Sequence, residues 1–154
     1  MVRSPDPHAP RSPLEEDLCA ELKRQSVPHE HRSLHFRVHL PDGHVAEFTP
    51  DLVIRRGVVL FLLEPLTDGA TDRARLELLE RFLDTHSPEI VLVIVTASPD
   101  IATLPPASYD EAYPSTAIVA VVRRIREQDP KGLILPFKKP ASIRSSERDL
   151  GRES

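Results

Sequence analysis

One cysteine, no tryptophan and five glycines in 154 residues set the first limits. A lone Cys19 forms no internal disulfide, so the fold does not depend on an oxidising compartment. Nor can a CxxC-type zinc motif be written with one cysteine. With so few glycines there is no GxGxxG or Walker-type loop to cradle phosphate, and no GxSxG nucleophile elbow. Long apolar runs are missing too. Val58 to Leu63 and Ile90 to Val95 are the longest, far short of a membrane span. The opening MVRSPDPHAPRSP has no apolar stretch after its basic residues, unlike a secretory signal. The expectation is a cytoplasmic chain with no membrane association.

What is present is an ordinary globular composition, 40% hydrophobic and 29% charged, with an unusual 16 prolines. The length suits one domain, expected over residues 12–139, between a flexible N-terminal arm (1–11) and a flexible C-terminal tail (140–154). Net charge is -4, but unevenly spread. Residues 115–154 hold nine Lys or Arg against five acids, so the remainder is strongly acidic. Arg123, Arg124, Arg126, Lys131, Lys138 and Lys139 are therefore candidates for nucleic-acid contact, DNA before RNA. A solvated helix face followed by a charged tail explains the same pattern.

Along the chain, Ser12-Pro13-Leu14-Glu15 reads as a helix start with an N-cap serine, proline at N1 and a capping-box glutamate. Leu14, Leu18 and Leu22 then mark one apolar stripe, and Pro28 stops the helix near Gln25. Leu34 to Leu40 alternates as a half-buried strand, with a turn at Pro41-Asp42-Gly43. A second strand is expected from about His44 to Ile54, a turn at Arg55-Arg56-Gly57, and a central strand from Val58. Asp72 to Asp84 reads as a helix, Glu89 to Thr96 as a strand, and Ser115 to Gln128 as a helix after a Pro-rich loop. Gly132 to Phe137 is a candidate edge strand. This order implies an α/β fold with a mixed sheet flanked by helices.

Asp51, after Pro50, and Glu64 are the informative carboxylates. Glu64 ends a run of six apolar residues, where a charge is costly unless paired or metal-bound. If the two strands form a hairpin about Gly57, Asp51 and Glu64 stand opposite each other, about 5 Å apart and able to share a divalent cation. Arg37 or Arg73 could instead neutralise Glu64 as a buried pair. Glu47, on the parity of Asp51, is a further acid on the same strand.

Helix, strand, strand with Pro-Asp, strand with Glu, helix, strand resembles the core order of the PD-(D/E)xK, or restriction-endonuclease-like, superfamily, over about residues 12–97. Pro50-Asp51 and Glu64 match its Pro-Asp and (D/E) elements. The resemblance implies a Mg²⁺ or Mn²⁺ site made by Asp51 and Glu64, with Glu15 completing it, and a metal-dependent nuclease cleaving phosphodiester bonds. The motif lysine is missing, because position 66 is Leu. Arg73 and Arg75, in the first turn of the next helix, are the candidate replacements, as phosphate stabilisers rather than proton-transfer groups. Without the lysine, the alternative is a catalytically degenerate relative that binds nucleic acid or joins a larger complex. A third reading is a structural subunit, for example of a homodimer, that pairs by a sheet edge.

His29, His31, His35, His39 and His44 crowd into sixteen residues. The i, i+4 pair on the first strand separates His35 and His39 by about 13 Å, which argues against a histidine metal cluster. Cys19, beside Leu18 and Leu22, reads as a buried structural thiol.

Overall fold

The computed structural model describes residues 11–67, 72–86 and 88–132. A five-stranded mixed sheet carries helices on both faces, with a separate two-stranded sheet beside it. Strands β1 (Glu30–His31), β4 (Leu52–Arg56), β5 (Val59–Leu66), β6 (Ile90–Thr96) and β7 (Glu111–Pro114) form the large sheet in the order β1-β4-β5-β6-β7. β1 and β4 pair antiparallel, as do β4 and β5, whereas β5, β6 and β7 run parallel. Strands β2 (Phe36–His39) and β3 (Val45–Phe48) form the small sheet.

The second expected strand is therefore two. Its break falls at Thr49-Pro50, where proline offers no N–H to continue a ladder. Among the described residues the first expected strand, now β2, pairs only with β3, so the three-strand meander is replaced by a hairpin leaning on the main sheet. An isolated hairpin is marginal in water. This one is held by Phe36 and Phe48, whose rings lie 4.8 Å from that of Phe82 on helix α2 (Arg73–Thr85).

Two cores follow from the alternation of β4, β5 and β6. Leu52, Ile54, Phe61, Leu63 and Val93 face helices α1 (Pro13–Arg24) and α4 (Ile118–Arg126). Val53, Leu62, Leu92 and Ile94 face α2 and the hairpin. β5 and β6 are buried on both sides, as parallel central strands are. The Pro-rich loop holds structure that its composition hides: one turn of helix, α3 (Ser98–Ile101), and the edge strand β7. Asp110 pins that strand, since its carboxylate accepts the Leu92 N–H at 2.8 Å. The candidate strand at 132–137 lies outside the described residues, apart from Gly132.

At the head of α1, the Ser12 hydroxyl accepts the Glu15 N–H at 3.1 Å. Ser12→Ala is expected to lower stability by about 1 kcal/mol, read by urea denaturation. No change would mean that the cap is not formed in solution. Among the described residues, no helix is long and apolar enough to cross a membrane.

Candidate functional site

The β4–β5 register pairs Leu52 with Leu63, which carries Asp51 and Glu64 to the next opposed position. Both share the parity of Val53 and Leu62, so both side chains belong to the face covered by α2. They open onto a cleft of about 350 Å³, lined also by Arg11, Ser12, Glu47, Thr49, Pro65, Leu66, Thr67, Asp72 and Arg75.

Glu64 is fully buried, and its partner is Arg75. Arg75 Nη2 donates to Glu64 Oε1 at 2.7 Å and Nε donates to Oε2 at 3.0 Å, a two-pronged grip. The same Nη2 donates to the Thr49 carbonyl at 3.1 Å, and the guanidinium lies 5.0 Å above the Phe48 ring. Burial pushes the Glu64 carboxyl up to about 7, although Arg75 pulls it down. Asp51 is also raised, first by burial and next by the charge of Glu15. Arg32 Nη1 lies 3.7 Å from Asp51 Oδ1.

Arg75 thus takes the cation's part beside the expected pair. Arg73, the first residue of α2, is exposed and does not line the cleft. Arg37, the other expected partner of Glu64, lies on β2 and is exposed. Leu66, at the place of the motif lysine, is 7% exposed and belongs to the core beneath α2.

Glu15 does not line the cleft with Asp51 and Glu64, although Arg32 links it to Asp51. Its carboxylate is buried on α1, where it accepts from His31 Nδ1 at 2.8 Å and from Arg32 Nη1 at 3.0 and 3.1 Å. It also accepts the Arg11 N–H at 3.0 Å, so the capping box closes on the residue before the cap. Arg32 holds a left-handed backbone at φ 49° and touches both Glu15 and Asp51. Such a conformation costs a non-glycine residue about 1 kcal/mol or more. It is kept where one guanidinium joins two carboxylates.

A second cluster lies beneath the other face of the sheet, contrary to the expectation that the histidines form none. Cys19 Sγ stands 3.2 Å from His29 Nε2 and 3.7 Å from His31 Nε2. The three donor atoms fall within 4.8 Å of one another, close enough to hold a metal ion. The informative spacing is the i, i+2 pair His29 and His31, because alternate residues of an extended segment share one face. The i, i+4 pair His35 and His39 has no part in the cluster.

The basic candidates are scattered in role. Arg124 is committed to Glu111 at 2.7 Å and to Gln128 at 2.6 Å, over the Phe61 ring. Arg123, Arg126 and Lys131 are exposed; Lys138 and Lys139 lie outside the described residues. Arg126 offers its carbonyl to Arg56 Nη2 at 2.7 Å, and Pro130 offers its own to the Val58 N–H at 3.0 Å. These hydrogen bonds fix the basic end of α4 at the Gly57 turn. Asp51 lies at the far end of β4, about 17 Å away along the strand.

No protein-family model matches the chain, and no curated protein or solved structure matches it either.

Proposed function

We propose that the chain is a catalytically silent relative of the PD-(D/E)xK nucleases that binds nucleic acid without cutting it. One observation carries the silent half: Arg75 grips both oxygens of Glu64. A divalent cation needs those lone pairs, and the guanidinium already supplies the compensating charge. Leu66 in place of the lysine supports the same reading, as does the commitment of Glu15 to His31 and Arg32. Four carboxylates against two guanidiniums line the cleft, an unfavourable wall for phosphate when no metal is bound. Contact with a phosphate backbone then falls to the exposed Arg123, Arg126 and Lys131 at the opposite end of the β4–β5 hairpin.

The test pairs a cleavage assay with a binding assay. With Mg²⁺ or Mn²⁺, the wild type is expected to leave plasmid DNA and single-stranded RNA intact. A labelled duplex should bind without metal, more weakly as salt rises. Arg123→Glu with Arg126→Glu should flatten the salt dependence, by about 0.9 in the log–log slope for each phosphate that is no longer neutralised. Metal-dependent cleavage that disappears in Asp51→Ala would replace this reading with the hydrolytic one. Binding indifferent to salt would remove the nucleic acid.

A further inference from the structure

We propose that Cys19, His29 and His31 hold one Zn²⁺ ion, with Glu15 positioning His31 from behind. This goes beyond the acidic cleft and does not depend on it. The donor set is one thiolate and two imidazoles, the soft-to-borderline ligands that zinc prefers over the oxygen donors favoured by Mg²⁺. The two sulfur–nitrogen spacings are close to those around that ion, and all three donor atoms lie within 4.8 Å of one another. A tetrahedral zinc with ordinary bond lengths places a sulfur and a nitrogen ligand about 3.6 Å apart. Here the two separations are 3.2 and 3.7 Å.

Each ring is turned to ligate. His29 Nδ1 faces the Val27 carbonyl at 3.2 Å, and His31 Nδ1 faces Glu15 Oε2 at 2.8 Å. An Nδ1–H donated to each oxygen leaves both Nε2 lone pairs directed at the thiol. This backing, a carbonyl behind one ligating histidine and a carboxylate behind the other, is the arrangement that fixes the tautomer and strengthens the ligand. Simple packing of a thiol against histidine would need only one ring, whereas two converge on Cys19 at an interplanar angle of 67°.

Local structure brings the three together. Cys19 lies on the buried stripe of α1 beside Leu18 and Leu22. His31 pairs with Leu52, whose side chain packs into the core beneath α1. Cys19 and His31 are buried, while His29 is half-buried and leaves the ion a way in. Three protein donors leave the fourth position to water.

The experiment uses the full chain with any affinity tag removed, and Co²⁺ and Zn²⁺ as probes. One equivalent of Co²⁺ should give a thiolate-to-metal charge-transfer band and the visible spectrum of a tetrahedral ion. Zn²⁺ should displace it and raise the melting temperature. Cys19→Ser and His29→Ala should abolish the cobalt spectrum and the zinc-induced rise. Since His29 is half-buried, the melting temperature of that variant without metal should stay near that of the metal-free wild type. Glu15→Gln should weaken zinc binding about 10- to 100-fold, measured against a chromophoric chelator. Asp51→Ala should leave it unchanged. The proposal fails if the wild type gives no cobalt spectrum or if His29→Ala binds like the wild type. It fails equally if Asp51→Ala abolishes binding, which would place the ion in the acidic cleft instead.

Discussion

Arg75→Ala should destabilise the protein by about 3–5 kcal/mol at pH 8.5, because it strands Glu64 as a fully buried charge. The cost should shrink in acid, and its sign follows from Glu64 itself. Burial raises that carboxyl from 4.5 to about 7, so between those values the folded chain binds a proton that the unfolded chain releases. The contribution of Glu64 to stability is therefore full below about pH 4.5 and is lost as pH rises through about 7. Without Arg75 the carboxyl rises further and is protonated at pH 5.5, so that only packing and hydrogen bonds are forfeited there. One pKa unit corresponds to about 1.4 kcal/mol, so the cost at pH 8.5 should exceed that at pH 5.5 by about that much for each unit by which Glu64 rises. Urea denaturation of both proteins at the two pH values reads the difference. Equal costs would mean that Arg75 and Glu64 do not meet as an ion pair.

Phe48→Ala should cost about as much, roughly 3–5 kcal/mol, for a different reason. Phe48 is fully buried at the end of β3, with its ring 4.8 Å from Phe82 and 6.1 Å from Phe36. Removing it opens a void where the small hairpin meets α2. It also removes the floor beneath the Arg75 guanidinium. A cycle with Arg75→Ala should therefore be non-additive, with about 0.5–2 kcal/mol of coupling. A loss under about 1.5 kcal/mol on calorimetric or urea unfolding would show that the hairpin does not pack there. Normal packing combined with strict additivity would detach Arg75 from the ring.

The elements with a long, clear period were legible in the residues. β5 and β6 announce themselves as apolar runs, and α1 by its cap, its stripe and Pro28. The opposition of Asp51 and Glu64 followed from a hairpin centred on Gly57, which takes φ 61° there. Gly57 is required for a second reason, since a Cβ at that position would collide with the backbone of Pro130. The choice between Arg73 and Arg75 was also written in the helical phase. Arg75 lies four and seven residues before the buried Leu79 and Phe82, on the stripe that faces the sheet. Other features had no local signature. β7 is four half-buried residues inside a Pro-rich loop, too short to show a period. The meeting of Cys19 with His29 and His31 depends on how α1 crosses β1, which no spacing within either segment encodes.

The outer strands of the large sheet bear on how copies of this chain meet. β1 is two residues long, and β7 is four residues closed by Pro114, which has no N–H to offer. A neighbouring molecule seeking to extend the sheet would find, among the described residues, no more than a few free backbone groups at either border. Short, proline-ended borders discourage strand-by-strand accretion. The two long apolar strands, β5 and β6, are the natural seeds for fibrils, and both are enclosed between their neighbours. Among the described residues, pairing of subunits through a border of the large sheet therefore finds little purchase; the separate β2–β3 sheet is not part of it. Clumping at high concentration should instead track the fraction of molecules that have opened far enough to release β5 and β6.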